Sequence, residues 1–183
     1  MAKSKFRYLL IVLGILSLLT VGVSLAANKA SGGDLDKKVP ITTARLEGCR
    51  WNHVSKLYPS QFVGGPDDLL AFRSGYHRLA FCPGSTLDVI VLEYRTAEKA
   101  ERAKESSMKS LPKSSSRVKM PGKCERKGVT TLRVQEHDGG ILYISVWRVG
   151  KKLFFVEEET PPSYPMEKAS KLMQVFLEEN ACR

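Results

Sequence analysis

Nineteen consecutive uncharged residues, positions 9–27, follow a short stretch carrying Lys3, Lys5 and Arg7. An apolar run of about 17–25 residues can cross a bilayer as a helix, and a basic flank stays on the cytoplasmic side. Residues 1–27 are therefore expected to be a transmembrane anchor or a signal peptide, with everything after them exported. Ser24 and Ala26 have the small side chains that signal peptidase accepts. Cleaved signals have apolar cores of only about 7–15 residues, so length favours an uncleaved anchor. Residues 28–44, with Ser31, Gly32, Gly33, Pro40 and little apolar content, read as a flexible tether. Residues 45–183 then make the extracytoplasmic domain.

Within that domain the first apolar pattern is ambiguous. Leu46, Trp51, Val54, Leu57 and Tyr58 fit one face of a short helix, which Gly48 weakens. Gly64, Gly65 and Pro66 form a turn, and Asp67 or Asp68 caps a short helix through Phe72 that Gly75 ends. Residues 76–82 read as a strand stopped by Pro83 and Gly84. Residues 87–95 form a stronger one, with Val89, Val91 and Glu93 alternating against Ile90, Leu92 and Tyr94. Its nearly continuous apolar character predicts a central strand covered on most of both faces. Thr96 is a good N-cap, and Glu98 and Glu101 suit the first turns of a helix running to about Ser110, where Pro112 follows.

Three strands come next, at 129–136, 141–149 and 153–158. The turns between them, 137–140 and Gly150-Lys151, are short enough to predict an antiparallel meander. After Pro161, Pro162 and Pro165, the residues Met166, Ala169, Met173, Phe176 and Leu177 recur at helical spacing. The order β-β-α-β-β-β-α predicts an α+β domain: a mixed, mainly antiparallel sheet with helices packed on one face.

Cysteine usage adds a constraint. Cys49, Cys82, Cys124 and Cys182 all lie in the exported part. An even count there predicts two disulfides, and the spacing matches no C-x-x-C or paired-cysteine zinc pattern. Of three connectivities, Cys49 with Cys82 and Cys124 with Cys182 is preferred; the second bridge would pin the C-terminus. Asparagine and glutamine are scarce while lysine, arginine and glutamate are plentiful, a bias resembling thermophile usage.

Charge is local. The formal net charge is +10, of which Lys3, Lys5 and Arg7 carry three, and nearly all the rest falls in residues 99–127. The stretch 113–127, with its serine run, Pro121 and Gly122, reads as a basic loop. Lys113, Arg117, Lys119, Lys123, Arg126 and Lys127 are its candidate contacts for an anionic partner: lipid headgroups, an acidic polysaccharide or an acidic protein face. Nucleic acid is disfavoured, because the loop has no interleaved aromatics for base stacking. A solvated surface loop is the plain alternative.

Catalytic patterns are missing: no G-x-S-x-G, H-E-x-x-H, Walker or dinucleotide-binding glycine pattern occurs. Cys49 and His53 would share a helix face, but a bridged Cys49 has no thiolate to offer. His137 and Asp138 suit a hairpin turn for backbone reasons. Glu157, Glu158 and Glu159 read as a solvated acidic strand end, since a strand alternates faces and cannot converge all three. Trp51, Tyr58, Tyr76, Tyr94, Tyr143 and Trp147 read mainly as core. These readings imply no cofactor and no metal. They predict a membrane-tethered, non-enzymatic extracytoplasmic domain, a protein-interaction or accessory subunit of a cell-envelope complex. An exported solute- or ligand-binding module is the alternative, with a hydrolase of unfamiliar motif third.

Overall fold

The computed structural model describes residues 35–41, 46–62, 65–111, 115–135, 139–163, 165 and 169–183. The expected anchor (1–27), Lys113, His137 and Asp138 lie outside the described residues. Among those described, no helix is long and apolar enough to cross a membrane.

The strands are β1 (Arg50–Trp51), β2 (Ser55–Leu57), β3 (Ser74–Cys82), β4 (Ser85–Glu93), β5 (Ser116–Val118), β6 (Thr130–Gln135), β7 (Ile141–Val149) and β8 (Lys152–Thr160). The α-helices are α1 (Asp67–Leu70), α2 (Ala97–Ser110), α3 (Gly122–Arg126) and α4 (Lys171–Asn180). All eight strands join one sheet in the order β1-β3-β4-β8-β7-β6-β5, with β2 pairing β3 beside β1. Every pairing is antiparallel, so the sheet is not mixed.

The expected central strand is β4, paired with β3 on one side and β8 on the other. Its alternation feeds two cores. Leu87, Val89 and Val91 point to one, with Tyr143, Trp147, Phe154, Val156 and the α4 residues Met173, Phe176 and Leu177. Ile90 and Leu92 point to the other, with Val134, Ile144, Val146, Leu153 and the α2 residues Ala100 and Ala103. Helices therefore cover both faces of the sheet, not one. Each large apolar side chain so buried contributes roughly 1.5–3 kcal/mol relative to exposure, which makes a two-sided sheet the more stable use of strands apolar on both sides. Helix α2 also carries the chain from the middle of the sheet to its far edge, where β5 begins. Its N-terminus is capped by Thr96, whose hydroxyl accepts the Lys99 N–H at 3.2 Å.

Other local expectations change. Residues 50–57 form β1 and β2 rather than a helix, both held by register on β3. Gly75 does not end a helix. It lies within β3 between Leu57 and Leu92, and a Cβ there would sit 2.9 Å from Phe72 Cε2 and 3.0 Å from both leucines. The basic stretch contains a strand, β5, and a short helix, α3. Val39 is 1% exposed, and Leu35 and Ile41 pack on the same core, so the folded unit reaches back into part of the stretch read as tether.

Candidate anion-binding groove

Two bridges clamp the fold. Cys49–Cys82 ties the segment before β1 to the end of β3, and Cys124–Cys182 ties α3 to the residues after α4. The second anchors α3 against the core through buried Cys124, which fixes the chain that runs from β5 into β6.

Beside β5 this arrangement opens a groove of about 610 Å³, lined among others by Lys104 of α2, Arg117 of β5, Lys119 just after it, Glu125 of α3 and Thr130 of β6. Lys104, Arg117 and Thr130 also line an adjoining hollow of about 450 Å³, together with Glu105, Met108, Lys109 and Leu132. The two make one trough between α2 and the β5–β6 edge. Its floor is apolar at Met108 and Leu132, and its rim is basic at Lys104, Lys109, Arg117 and Lys119. Lys104 is held in place, its Nζ donating to the Gly128 carbonyl at 3.0 Å. Glu101, on the same wall, pairs with Arg148 of β7 at 2.6 Å, so its charge is offset locally. Glu105 and Glu125 stay as negative points within the trough.

Of the residues singled out from sequence, Arg117 and Lys119 line this trough, and both are exposed. Lys123, Arg126 and Lys127 are exposed on and just after α3. They extend the basic surface but do not line the groove. Lys104 and Lys109 were missed as contacts. Glu101, Lys104, Glu105 and Met108 recur at three- and four-residue steps, which on a helix is one stripe, and that spacing was the available signal.

A second polar arrangement is buried. Glu158 is 1% exposed and sits under the N-terminus of α4, where its carboxylate accepts hydrogen bonds from the Ser170 hydroxyl and, at 3.1 Å, from the Met173 N–H. Burial pushes its pKa up to about 7, outweighing the lowering by bonds from Ser170, Met173 and Ser85. The acidic strand end is thus not wholly solvated: Glu158 follows Val156 on the inward face of β8. Alongside it, Thr131 and Ser145 share a hydrogen bond of 2.8 Å, and Ser145 reaches Met173 Sδ at 3.3 Å. This polar strip seats α4 in a fixed position on the sheet.

The remaining candidates disperse. Cys49 is bridged, and His53 is exposed on the stretch between β1 and β2. Trp147 stacks on Phe154 at 5.0 Å, Trp51 packs near Phe176, Tyr94 donates to the Leu69 carbonyl at 2.9 Å, and Tyr58 is exposed. None of these aromatics lines either hollow beside β5. Among the described residues no group of three or more His, Cys, Asp or Glu is placed to hold a metal.

Fold and bridges together define a disulfide-clamped α+β domain on one antiparallel sheet. No protein family and no curated protein matches the chain. A solved structure similar to it is the extracellular domain of PknH from Mycobacterium tuberculosis, with a TM-score of 0.48 and 8% identity over 72% of this chain and 82% of that one. A likeness of that degree carries no argument about what this chain does.

Proposed function

We propose that the chain is a membrane-tethered, non-enzymatic extracytoplasmic domain that binds another protein of the cell envelope. The observation that carries this reading is the trough: basic side chains from a helix, a strand and a following loop converge on an apolar floor at a sheet edge. Two cystines support an oxidising location, and the apolar run 9–27 behind Lys3, Lys5 and Arg7 supports a tether with its N-terminus cytoplasmic. Rim charges of this kind speed encounter and set register more than they add affinity.

The test is site-directed photo-crosslinking in native membranes, with the crosslinker placed at Lys119 and, as a control, at Tyr58 on the opposite edge. The reading expects one adduct of defined mass from position 119, abolished by Lys104→Glu, and none from position 58. A chain that yields no adduct and leaves mild detergent alone and monomeric overturns it.

A further inference from the structure

On the β1 side of the sheet, away from the trough, four side chains stand in one row. Arg50 is the register partner of Phe81, Phe81 of Thr86, and Thr86 of Glu159. Directly opposed residues of antiparallel strands point to the same face, so β1, β3, β4 and β8 present these four side by side. Neighbouring strands lie about 4.8 Å apart, which makes the row roughly 14 Å long. Arg50 and Glu159 are exposed and Thr86 is half-buried. Among the described residues neither Arg50 nor Glu159 takes part in an ion pair. Phe81, between polar neighbours, is 37% exposed.

Phe81, Thr86 and Glu159 also line a hollow of about 650 Å³ at the ends of their strands, a volume within the range of small-molecule sites. Pro161 and Pro162 wall it behind β8, and Gly84 and Gly139 bound it at the turns before β4 and β7. A Cβ at either glycine would meet nothing within 4 Å, so the main chain there is open to close approach by a ligand.

We infer that this row binds a neutral oligosaccharide, at a site separate from the trough and from the protein partner proposed above. Its two charges are opposite in sign and cancel, which sets it apart from the basic trough and favours a ligand with no net charge. A sugar hydroxyl both donates and accepts, so adjacent hydroxyls donate to the Glu159 carboxylate at one end and accept from the Arg50 guanidinium at the other. Between these ends the apolar C–H face of a sugar ring lies on the negative face of the Phe81 ring, and the Thr86 hydroxyl adds a further donor or acceptor. The row is longer than one sugar ring, so more than one unit is engaged. A zwitterionic peptide would also match the two charges, but exposed ion pairs add little in water, and charge alone leaves Phe81 without a role.

In the test, the full chain in neutral phosphatidylcholine nanodiscs is titrated with maltotriose, cellotriose, mannotriose, xylotriose and triacetylchitotriose, followed by saturation-transfer difference NMR with empty nanodiscs as the blank. At least one trisaccharide should give a saturable signal, strongest on the C–H protons of one ring face. Phe81→Ala and, separately, Glu159→Gln should each weaken binding at least tenfold. Phe81→Trp should retain it, and Lys119→Glu in the trough should leave it unchanged, with circular dichroism checking that each variant folds. Absence of a signal from every one of these sugars overturns the inference, as does binding that survives Phe81→Ala. Binding of the zwitterionic peptide Lys-Gly-Glu in place of the sugars overturns it as well.

Discussion

At Glu158 burial and hydrogen bonding pull in opposite directions, and burial wins. The folded carboxyl titrates at about 7 against an ordinary value of 4.5. In the window between those values the folded state holds a proton that the unfolded state has released. The stabilisation is therefore complete below about pH 4.5 and is lost as pH rises through about 7, amounting to roughly 3 kcal/mol across the window. Glu158→Gln keeps an acceptor for the Met173 N–H without the titration. Urea unfolding of wild type and variant should show a stability difference that moves in the variant's favour between pH 5 and pH 8; parallel pH profiles would refute the assignment. Gly75→Ala tests close approach in the same way: with three side-chain atoms at 2.9–3.0 Å from the new methyl, overpacking should cost about 1–3 kcal/mol, read as a lower urea midpoint. The inward direction of Glu158 was legible, since a period of two puts it with Phe154 and Val156. Its partner Ser170 was not, because only the docking of α4 brings a residue twelve positions on over the strand end.

Elements whose stability is local were the ones that sequence revealed. Helix α2 has its cap, its acidic first turn and its alanines within its own residues, and Thr96→Ala should remove the Lys99 N–H bond and cost about 1 kcal/mol, measurable by thermal melting. The hairpin between β7 and β8 is equally local, closed by Gly150 at φ +58, a conformation glycine adopts readily. By contrast β1, β2 and β5 have two or three residues each and exist through the long strand each one pairs with. No periodicity can show in so few positions, so the helix-like spacing of Leu46 to Tyr58 dominated one region and turn residues dominated the other. The same reasoning explains the trough. The basic residues were visible as a run, but the contribution of Lys104 and Lys109 depends on α2 crossing the sheet to lie beside β5. The mixed-sheet, one-sided expectation failed for a related reason: both faces of β4 are apolar, and sequence order alone does not say which helix covers which.

For the whole molecule the two bridges matter most, because they close separate loops. Cys49–Cys82 and Cys124–Cys182 span 33 and 58 positions without overlapping, so their effects on the unfolded chain should add. On a chain-entropy account each is worth about 4 kcal/mol, while domains of this size have net stabilities of about 5–15 kcal/mol in total. Reduction should thus remove a large share of the margin, and a compartment that keeps thiols reduced would leave the fold near its limit. For a chain of this length each kcal/mol corresponds to about 2–4 °C. The full chain in nanodiscs should accordingly melt at least about 15 °C lower when fully reduced than when oxidised, and replacing Cys124 and Cys182 together by serine should produce roughly half of that drop. A reduced protein melting within about 5 °C of the oxidised form would mean that the packed two-sided sheet is sufficient by itself, and the bridges would then no longer support an oxidising location. The exported topology proposed above has its own test in intact cells: an impermeant amine reagent should label exposed Lys123, and protection of that lysine until the membrane is breached would place the domain, basic trough included, on the cytoplasmic side.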